Sequence, residues 1–133
     1  MFVAFRHVEN RVLAAVLDAG YPVTLAQARI VQRIGPNGTR LTALAEQAQV
    51  TKQTAGALVD QLAAAGYVER RPDPSDARAR LVCKSDLGLR VSALAAAELE
   101  RVQGEWAAHL GAADWAVLHR SLTRLREITD PYA

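Results

Sequence analysis

The sequence predicts a mainly α-helical fold with one two-stranded β-ribbon, and three observations support that prediction. Alanine and leucine dominate while aromatic residues make up only 5%, which favours helices over sheets. Apolar residues recur every three to four positions along most of the chain, as on one face of a helix. Residues 67–83 alternate instead and contain Pro72 and Pro74, which indicates two strands around a turn.

The first two helices are separated by Gly20 and Pro22. An apolar stripe predicts the first helix over residues 1–20; it consists of Phe2, Phe5, Val8 or Glu9, Val12 and Val16. Thr24 has a side-chain oxygen that can cap the next helix. That helix has its own stripe, formed by Leu25, Ala28, Val31 and Ile34. Four turn-forming residues from Gly35 to Gly38 end it.

Two short helices around a tight turn come next. Thr42 is the candidate cap of a helix from about Ala43 to Ala48, and Gln49-Val50 is the turn. Thr51 caps the following helix, which ends at Gly66. The apolar spacing through this segment is that of a helix-turn-helix, with a small residue where the two helices approach each other.

The alternating segment follows directly and predicts an exposed β-ribbon. Tyr67–Arg71 and Arg78–Cys83 are the two strands, and Pro72–Asp76 is the turn between them. A helix-turn-helix followed by such a ribbon is a winged helix-turn-helix. We therefore expect a winged helix-turn-helix with a two-stranded β wing, built from residues 24–84.

The C-terminal part predicts two more helices. One starts at Ser85 or Asp86 and keeps an apolar stripe to Leu110, roughly 36 Å at the standard rise. Gly111 interrupts it, and Asp114 can cap the last helix. Because the long helix exceeds what one small core needs, residues 1–20 and 86–130 are interpreted as dimerisation helices of a homodimer, with 1–133 as a single domain. The alternative is that they pack within one monomer.

Charge distribution points to nucleic acid. Residues 24–84 carry nine basic and five acidic side chains, whereas the whole chain has a net charge of only +2. A local basic excess is the expected footprint of a phosphate-binding face. The candidate DNA-binding residues are Thr51, Lys52, Gln53, Thr54, Arg78, Arg80, Arg40 and Arg70.

Several other classes are not expected. No apolar run of about 18 residues and no signal peptide is found, and the single Cys83 suits a reducing cytoplasm. Cys83 is either a small apolar residue or a redox-sensing thiol. The three histidines have no metal-ligand spacing, and no catalytic motif is present, so neither an enzyme nor a metal or other cofactor is expected.

The central string resembles the MarR family of bacterial transcription regulators. It reads LTALAEQAQVTKQTAGALVDQLAAAGYVERRPDPSDARARLV, followed by KSDLGLRV. The family's wing pattern of Asp, one residue, then Arg matches Asp76-Ala77-Arg78. Its strand-to-helix transition matches Lys84–Gly88, and the resemblance extends over nearly the whole chain.

This resemblance implies a dimer with the second helix of each unit in a DNA major groove and each wing near the minor groove. Lys52 and Gln53 would then contact phosphate or bases, and Arg78 would enter the narrow minor groove. Asp76 would hold Arg78 through a wing ion pair, Asp76–Arg78. Gly56-Ala57 departs from the family pattern, because a polar residue is usual there. Gly56 would permit close approach either to DNA or to a neighbouring helix.

The resemblance also implies a repressor released by a small aromatic or phenolic effector, bound between the DNA-binding unit and the dimer helices. The candidate lining residues are Phe5, Val12, Val31, Leu94 and Trp106. A different interpretation is a winged-helix module that binds protein and not DNA. A third is a metal or redox sensor on the same fold.

Overall fold

The structure is a computed structural model and describes residues 1–132. Six helices and two strands follow one another in the order that the sequence predicts. They are α1 (Phe2–Asp18), α2 (Leu25–Val31), α3 (Leu41–Ala48), α4 (Lys52–Ala64), β1 (Val68–Asp73), β2 (Asp76–Lys84), α5 (Asp86–Leu110) and α6 (Ala112–Thr129). The predicted winged helix-turn-helix fold is confirmed.

Helices α3 and α4 form the helix-turn-helix. Gln49 between them takes a left-handed conformation (φ 56°), and the Val50 N–H donates to the Ala45 carbonyl over 3.0 Å. The predicted cap at Thr42 is wrong, because α3 begins at Leu41, two residues earlier than predicted, and Arg40 is its N-cap residue. Arg40 has extended backbone angles and offers no side-chain cap to the helix.

The predicted cap at Asp114 is also wrong, because α6 begins at Ala112 with Gly111 as its N-cap residue. The starts of α2 and α5 agree with the sequence. Thr24 caps α2 in a capping box with Gln27, and Ser85 caps α5 by accepting from the Gly88 N–H over 3.1 Å. Helix α2 ends at Val31, three residues before the predicted end of its stripe at Ile34.

The main core lies inside residues 24–84. Ile30, Leu44, Val59 and Leu62 are fully buried there, contributed by α2, α3 and α4. Val68 and Val82 close the core from the wing side. The recognition helix and the wing are therefore held by one shared apolar cluster.

The wing is a twisted antiparallel pair whose ladder is irregular near its tip. Arg70 pairs with Val82 and Pro72 with Arg80, and the register shifts between Pro72 and Asp73. The strands extend further than predicted, so that only residues 74–75 remain as the turn. A bridge between Thr39 and Val82, with both N–H···O distances 2.9 Å, ties the wing to the chain before α3.

The start of helix α5 packs closely against the base of the wing, and the rest of the helix extends away from the main core. A Cβ at Gly88 would lie 2.1 Å from the Tyr67 carbonyl oxygen, so only glycine fits this contact. Further along, α1 packs on α5, and Arg11 bridges the two helices by donating to Glu98 and Glu105 over 2.9 Å each. None of the residues that the structure describes in α6 is buried.

Candidate nucleic-acid interface

The start of α4 is exposed and has free backbone donors. Thr51 Oγ1 accepts from the Thr54 N–H over 3.1 Å and donates to Thr54 Oγ1 over 2.9 Å. The Ala55 N–H donates to the Thr51 carbonyl over 2.9 Å, which begins the regular helix. The N–H groups of Lys52 and Gln53 therefore have no partner within residues 1–132. Such a helix start favours anions such as phosphate.

The side chains at this helix start are available as well. Lys52 and Gln53 are exposed, and Lys52 forms no ion pair among the residues that the structure describes. A free ammonium suits a phosphate or a guanine edge, and a free carboxamide suits adenine. The structure thus places the four predicted residues, Thr51 to Thr54, together on one exposed helix end.

Gly56 lies one turn further along α4. A Cβ added there would lie 3.8 Å from Leu41 Cδ2, an ordinary contact distance, so packing against α3 does not require glycine. Of the two explanations for Gly56, close approach to a neighbouring helix is therefore excluded. Ala57 is exposed and adds no polar group, so the middle of α4 offers little to a base edge.

The wing carries a second set of free cations. Arg78 and Arg80 are exposed and lie two residues apart on β2, so their side chains leave the same face of the strand. Neither guanidinium forms an ion pair in the described part of the chain. Both are therefore available to phosphate or to a minor groove.

The predicted ion pair between Asp76 and Arg78 is wrong. Asp76 Oδ1 accepts from the backbone N–H of Arg78 over 3.0 Å, and its other oxygen lies 3.9 Å from Arg40 Nη2. The carboxylate turns back onto the main chain at the start of β2, so it caps the turn and leaves the Arg78 side chain free.

Two other predicted DNA contacts are already occupied within the chain. Arg40 donates to Asp73 through Nε and Nη2, over 2.9 and 2.7 Å. Arg70 donates to Asp60 of α4 over 2.5 Å and so links the wing to the recognition helix. From the sequence, Arg40 and Arg70 could not be distinguished from the free arginines. The role of Asp73 as a partner of Arg40 was not predicted.

Asp73 is the buried charge of the wing. It is 8% exposed, and the Ser75 hydroxyl, the Ser75 N–H and Arg40 all donate to its carboxylate. These bonds lower the pKa of Asp73 to about 2, with the Ser75 hydroxyl as the largest cause. The group is therefore ionised throughout the neutral range.

A separate apolar cavity of about 360 Å³ lies between α1, α2 and the first half of α5. Phe5, Val12 and Val31 line it as predicted. Leu94 and Trp106 do not, and that part of the prediction is wrong. The α5 residues that face the cavity are Gly88, Val91, Ser92, Ala95, Ala96 and Leu99. Leu94 leaves the helix in another direction, and Trp106 lies two turns beyond, against His7 and Trp115.

Two polar side chains of this cavity are hydrogen-bonded to other parts of the chain. Glu9 accepts from Arg29 over 2.9 and 3.0 Å, and the Tyr67 hydroxyl donates to the Pro22 carbonyl over 3.2 Å. Lys84 lines the cavity without a hydrogen bond or ion pair to any described residue. Burial lowers its pKa. The cavity therefore presents one uncommitted cation on an apolar wall.

Residues 1–132 hold no group of three or more His, Cys, Asp or Glu residues that could bind a metal ion. Cys83 is a free thiol and is buried. No helix in the described range is long and apolar enough to span a membrane.

An exposed helix start and a wing with free arginines, both mounted on one helix-turn-helix, define a winged-helix protein of the DNA-binding class. The model of the MarR family matches residues 21–79, which contain the whole helix-turn-helix and the first part of the wing. The structural neighbours over nearly the full chain include a transcriptional regulator and MarR itself. The chain is thus similar to the MarR family through its winged helix, and a role as a DNA-binding regulator is supported.

Three solved structures illustrate the similarity. The transcriptional regulator Tm0710 from Thermotoga maritima is 27% identical, with a TM-score of 0.66 over 93% of this chain and 87% of that one. CouR from Rhodococcus jostii RHA1, solved bound to p-coumaroyl-CoA, is 24% identical, with a TM-score of 0.71 over 94% and 85%. Wild-type MarR from E. coli is 20% identical, with a TM-score of 0.74 over 93% and 92%. The last two show the fold alone. No curated protein sequence matches the chain.

Proposed function

We propose that this protein is a homodimeric DNA-binding repressor that a small molecule releases from its operator. The observation that carries the DNA-binding part is the set of free cations at the start of the recognition helix and on the wing. Lys52 at the start of α4 and Arg78 and Arg80 on β2 are exposed and unpaired within the described residues. The match of residues 21–79 to the MarR family model supports the same role.

The dimer is supported by apolar surface on the helices outside the winged helix. Large apolar side chains that are at least 37% exposed lie on α1 and α6: Phe2, Val3, Phe5, Leu17, Val117, Leu118, Leu122, Leu125 and Ile128. Exposed apolar side chains in such number are typical of an interaction site. A two-fold dimer would present two copies of α4 to DNA half-sites about one helical turn apart.

The effector is supported by the cavity between α1, α2 and α5. Its volume of about 360 Å³ suits a small organic molecule. Its apolar wall and the uncommitted Lys84 suit an aromatic or phenolic compound with a carboxylate or phenolate group. A ligand held between the dimer helices and the winged helix would act by favouring one separation of the two α4 helices.

DNA binding is tested by titrating the DNA upstream of the protein's own gene at several salt concentrations. Affinity should fall steeply as salt rises, because phosphate contacts release counterions. Arg78→Ala should weaken binding about tenfold, as expected when an Arg contact to DNA is lost. Arg124→Ala on α6, also exposed and unpaired, is the matched control and should bind like the wild type.

Other outcomes separate the alternatives. Absence of binding at low salt contradicts the regulator and leaves a protein-interaction module. Repetition of the titration with p-coumaroyl-CoA and with free phenolic acids tests the effector; an unchanged affinity with every compound contradicts that effector class. A reporter gene placed behind the bound DNA gives the sign of regulation, and increased transcription would contradict a repressor.

A further inference from the structure

Asp73 occupies an unusual place in the wing. It is the last residue of β1, where the ladder shifts register, and it is 8% exposed while the prolines on both sides are exposed. Buried carboxylates are uncommon and persist where their oxygens are fully hydrogen-bonded. The partners of Asp73 therefore indicate what it holds together.

Each oxygen of Asp73 serves a different part of the chain. Oδ1 accepts from the Ser75 N–H and hydroxyl, over 2.8 and 2.7 Å, and so fixes the wing turn. Oδ2 accepts from Nε and Nη2 of Arg40, over 2.9 and 2.7 Å. Arg40 is the N-cap residue of α3, and its carbonyl accepts from the Leu44 N–H. One side chain thus connects the wing turn to the helix-turn-helix.

This connection lies outside the shared apolar core. Val68 and Val82 attach the base of the wing, and the Thr39–Val82 bridge ties that base to the chain before α3. Beyond that bridge, the outer part of β2 carries Arg78 and Arg80, and both side chains are exposed. The Asp73–Arg40 pair joins this outer part to the N-cap residue of α3 across 33 residues of sequence.

A negative charge on the wing is by itself unfavourable for DNA binding. Asp73 is ionised and lies on the same wing as Arg78 and Arg80, so it repels DNA phosphates. Its negative charge therefore has to be explained by what it holds in position.

We propose that Asp73, with Arg40, positions the wing: the pair sets the direction of Arg78 and Arg80 relative to α4 and thereby raises DNA affinity without contacting DNA. This inference rests on the proposed DNA-binding function. It also changes the role of Arg40, which sequence analysis assigned to direct DNA contact, to that of a positioning residue.

Two variants with the same charge change test the proposal. Asp73→Asn and Asp76→Asn each remove one negative charge from the wing turn. In Asp76→Asn, the amide oxygen still accepts from the Arg78 N–H, and only the 3.9 Å approach to Arg40 is weakened. In Asp73→Asn, an amide NH₂ replaces one carboxylate oxygen. Since Arg40 and Ser75 are both hydrogen-bond donors to this side chain, one of the two loses its acceptor.

The two explanations predict different changes in the DNA affinity of Asp73→Asn. If charge alone matters, both variants bind DNA as tightly as the wild type or more tightly. If Asp73 positions the wing, Asp73→Asn binds about tenfold more weakly, as when a wing arginine is lost, while Asp76→Asn does not. Wild-type affinity in Asp73→Asn overturns the proposal.

A double-mutant cycle separates positioning from a general loss of folding. In a background that already lacks both wing arginines, Arg78→Ala with Arg80→Ala, Asp73→Asn should cause no further loss of affinity. A loss that persists undiminished in that background overturns the proposal. Arg40→Gln should behave like Asp73→Asn. If Arg40 contacted phosphate directly, its replacement would lower DNA affinity in either background.

The proposed function and this inference fail in different ways. A wild-type chain that binds no DNA at low salt refutes both. Normal wild-type binding with an unaffected Asp73→Asn refutes only the inference.

Discussion

The winged helix and the helices that flank it bury their leucines very differently. Leu44 and Leu62, in the winged helix, are fully buried. Leu122 and Leu125, in α6, are each 45% exposed. The first region therefore has a complete core of its own, whereas the second has an apolar face that only another surface can cover. The buried core is thus concentrated in the region proposed to bind DNA, and the exposed apolar face in the region proposed to form the dimer.

The largest expected effect tests where the core lies. Leu62→Ala should lower the free energy of unfolding by about 2–5 kcal/mol, because it leaves a cavity among fully packed side chains. Leu122→Ala removes the same atoms from a half-exposed position and should cost the subunit much less. Urea unfolding measures both. Equal losses would contradict the division between the two regions.

The next effect concerns association. Leu122→Glu combined with Leu125→Glu places two charges on the apolar face of α6 and should dissociate the dimer, because unpaired charges are costly to bury at an interface. Light scattering should then return a mass near 14.4 kDa at micromolar concentration. Ala116→Glu, exposed on the opposite side of α6, is the control. A wild type that is itself monomeric contradicts the homodimer.

The smallest effect sharpens the contrast within α4. Gly56→Ala should raise the free energy of unfolding by up to about 1 kcal/mol, since alanine is the better helix former and its Cβ has room. DNA titration of the same variant then tests the remaining explanation for this glycine. If close approach to DNA needs it, affinity falls although stability rises; if not, affinity stays unchanged.

The two regions also hold one buried carboxylate each, and both are fully paired. Asp73 joins the wing to α3, while Glu98 of α5 accepts from Arg11 of α1 and from Arg101. Hydrogen bonds from Arg101 and then Arg11 lower the pKa of Glu98. Each carboxylate therefore links two separate elements of the fold through hydrogen-bonded arginines.

Much of the fold could be predicted because its signals are local. The order of helices and strands follows from apolar spacing, and Thr24, Thr51 and Ser85 cap the helices that they precede. The prediction of Thr42 as a cap was wrong because the cap position is set by backbone angles, and it is Arg40 that takes the extended conformation before α3. The residues that line the cavity were predicted only in part, for a related reason. Apolar spacing identifies one face of a helix but does not say which neighbour each side chain contacts. Val12 therefore lines the cavity, whereas Leu94 does not.

The sequence by itself determined that a basic winged helix is present, with Thr51–Thr54 at the start of its second helix and arginines on its wing. Only the tertiary structure decided which cations are free. Lys52, Arg78 and Arg80 remain unpaired within residues 1–132, while Arg40 and Arg70 are bonded to Asp73 and Asp60. These partners are 33 and 10 residues away along the chain. Their pairing depends on how the wing packs against α3 and α4, which no local pattern encodes.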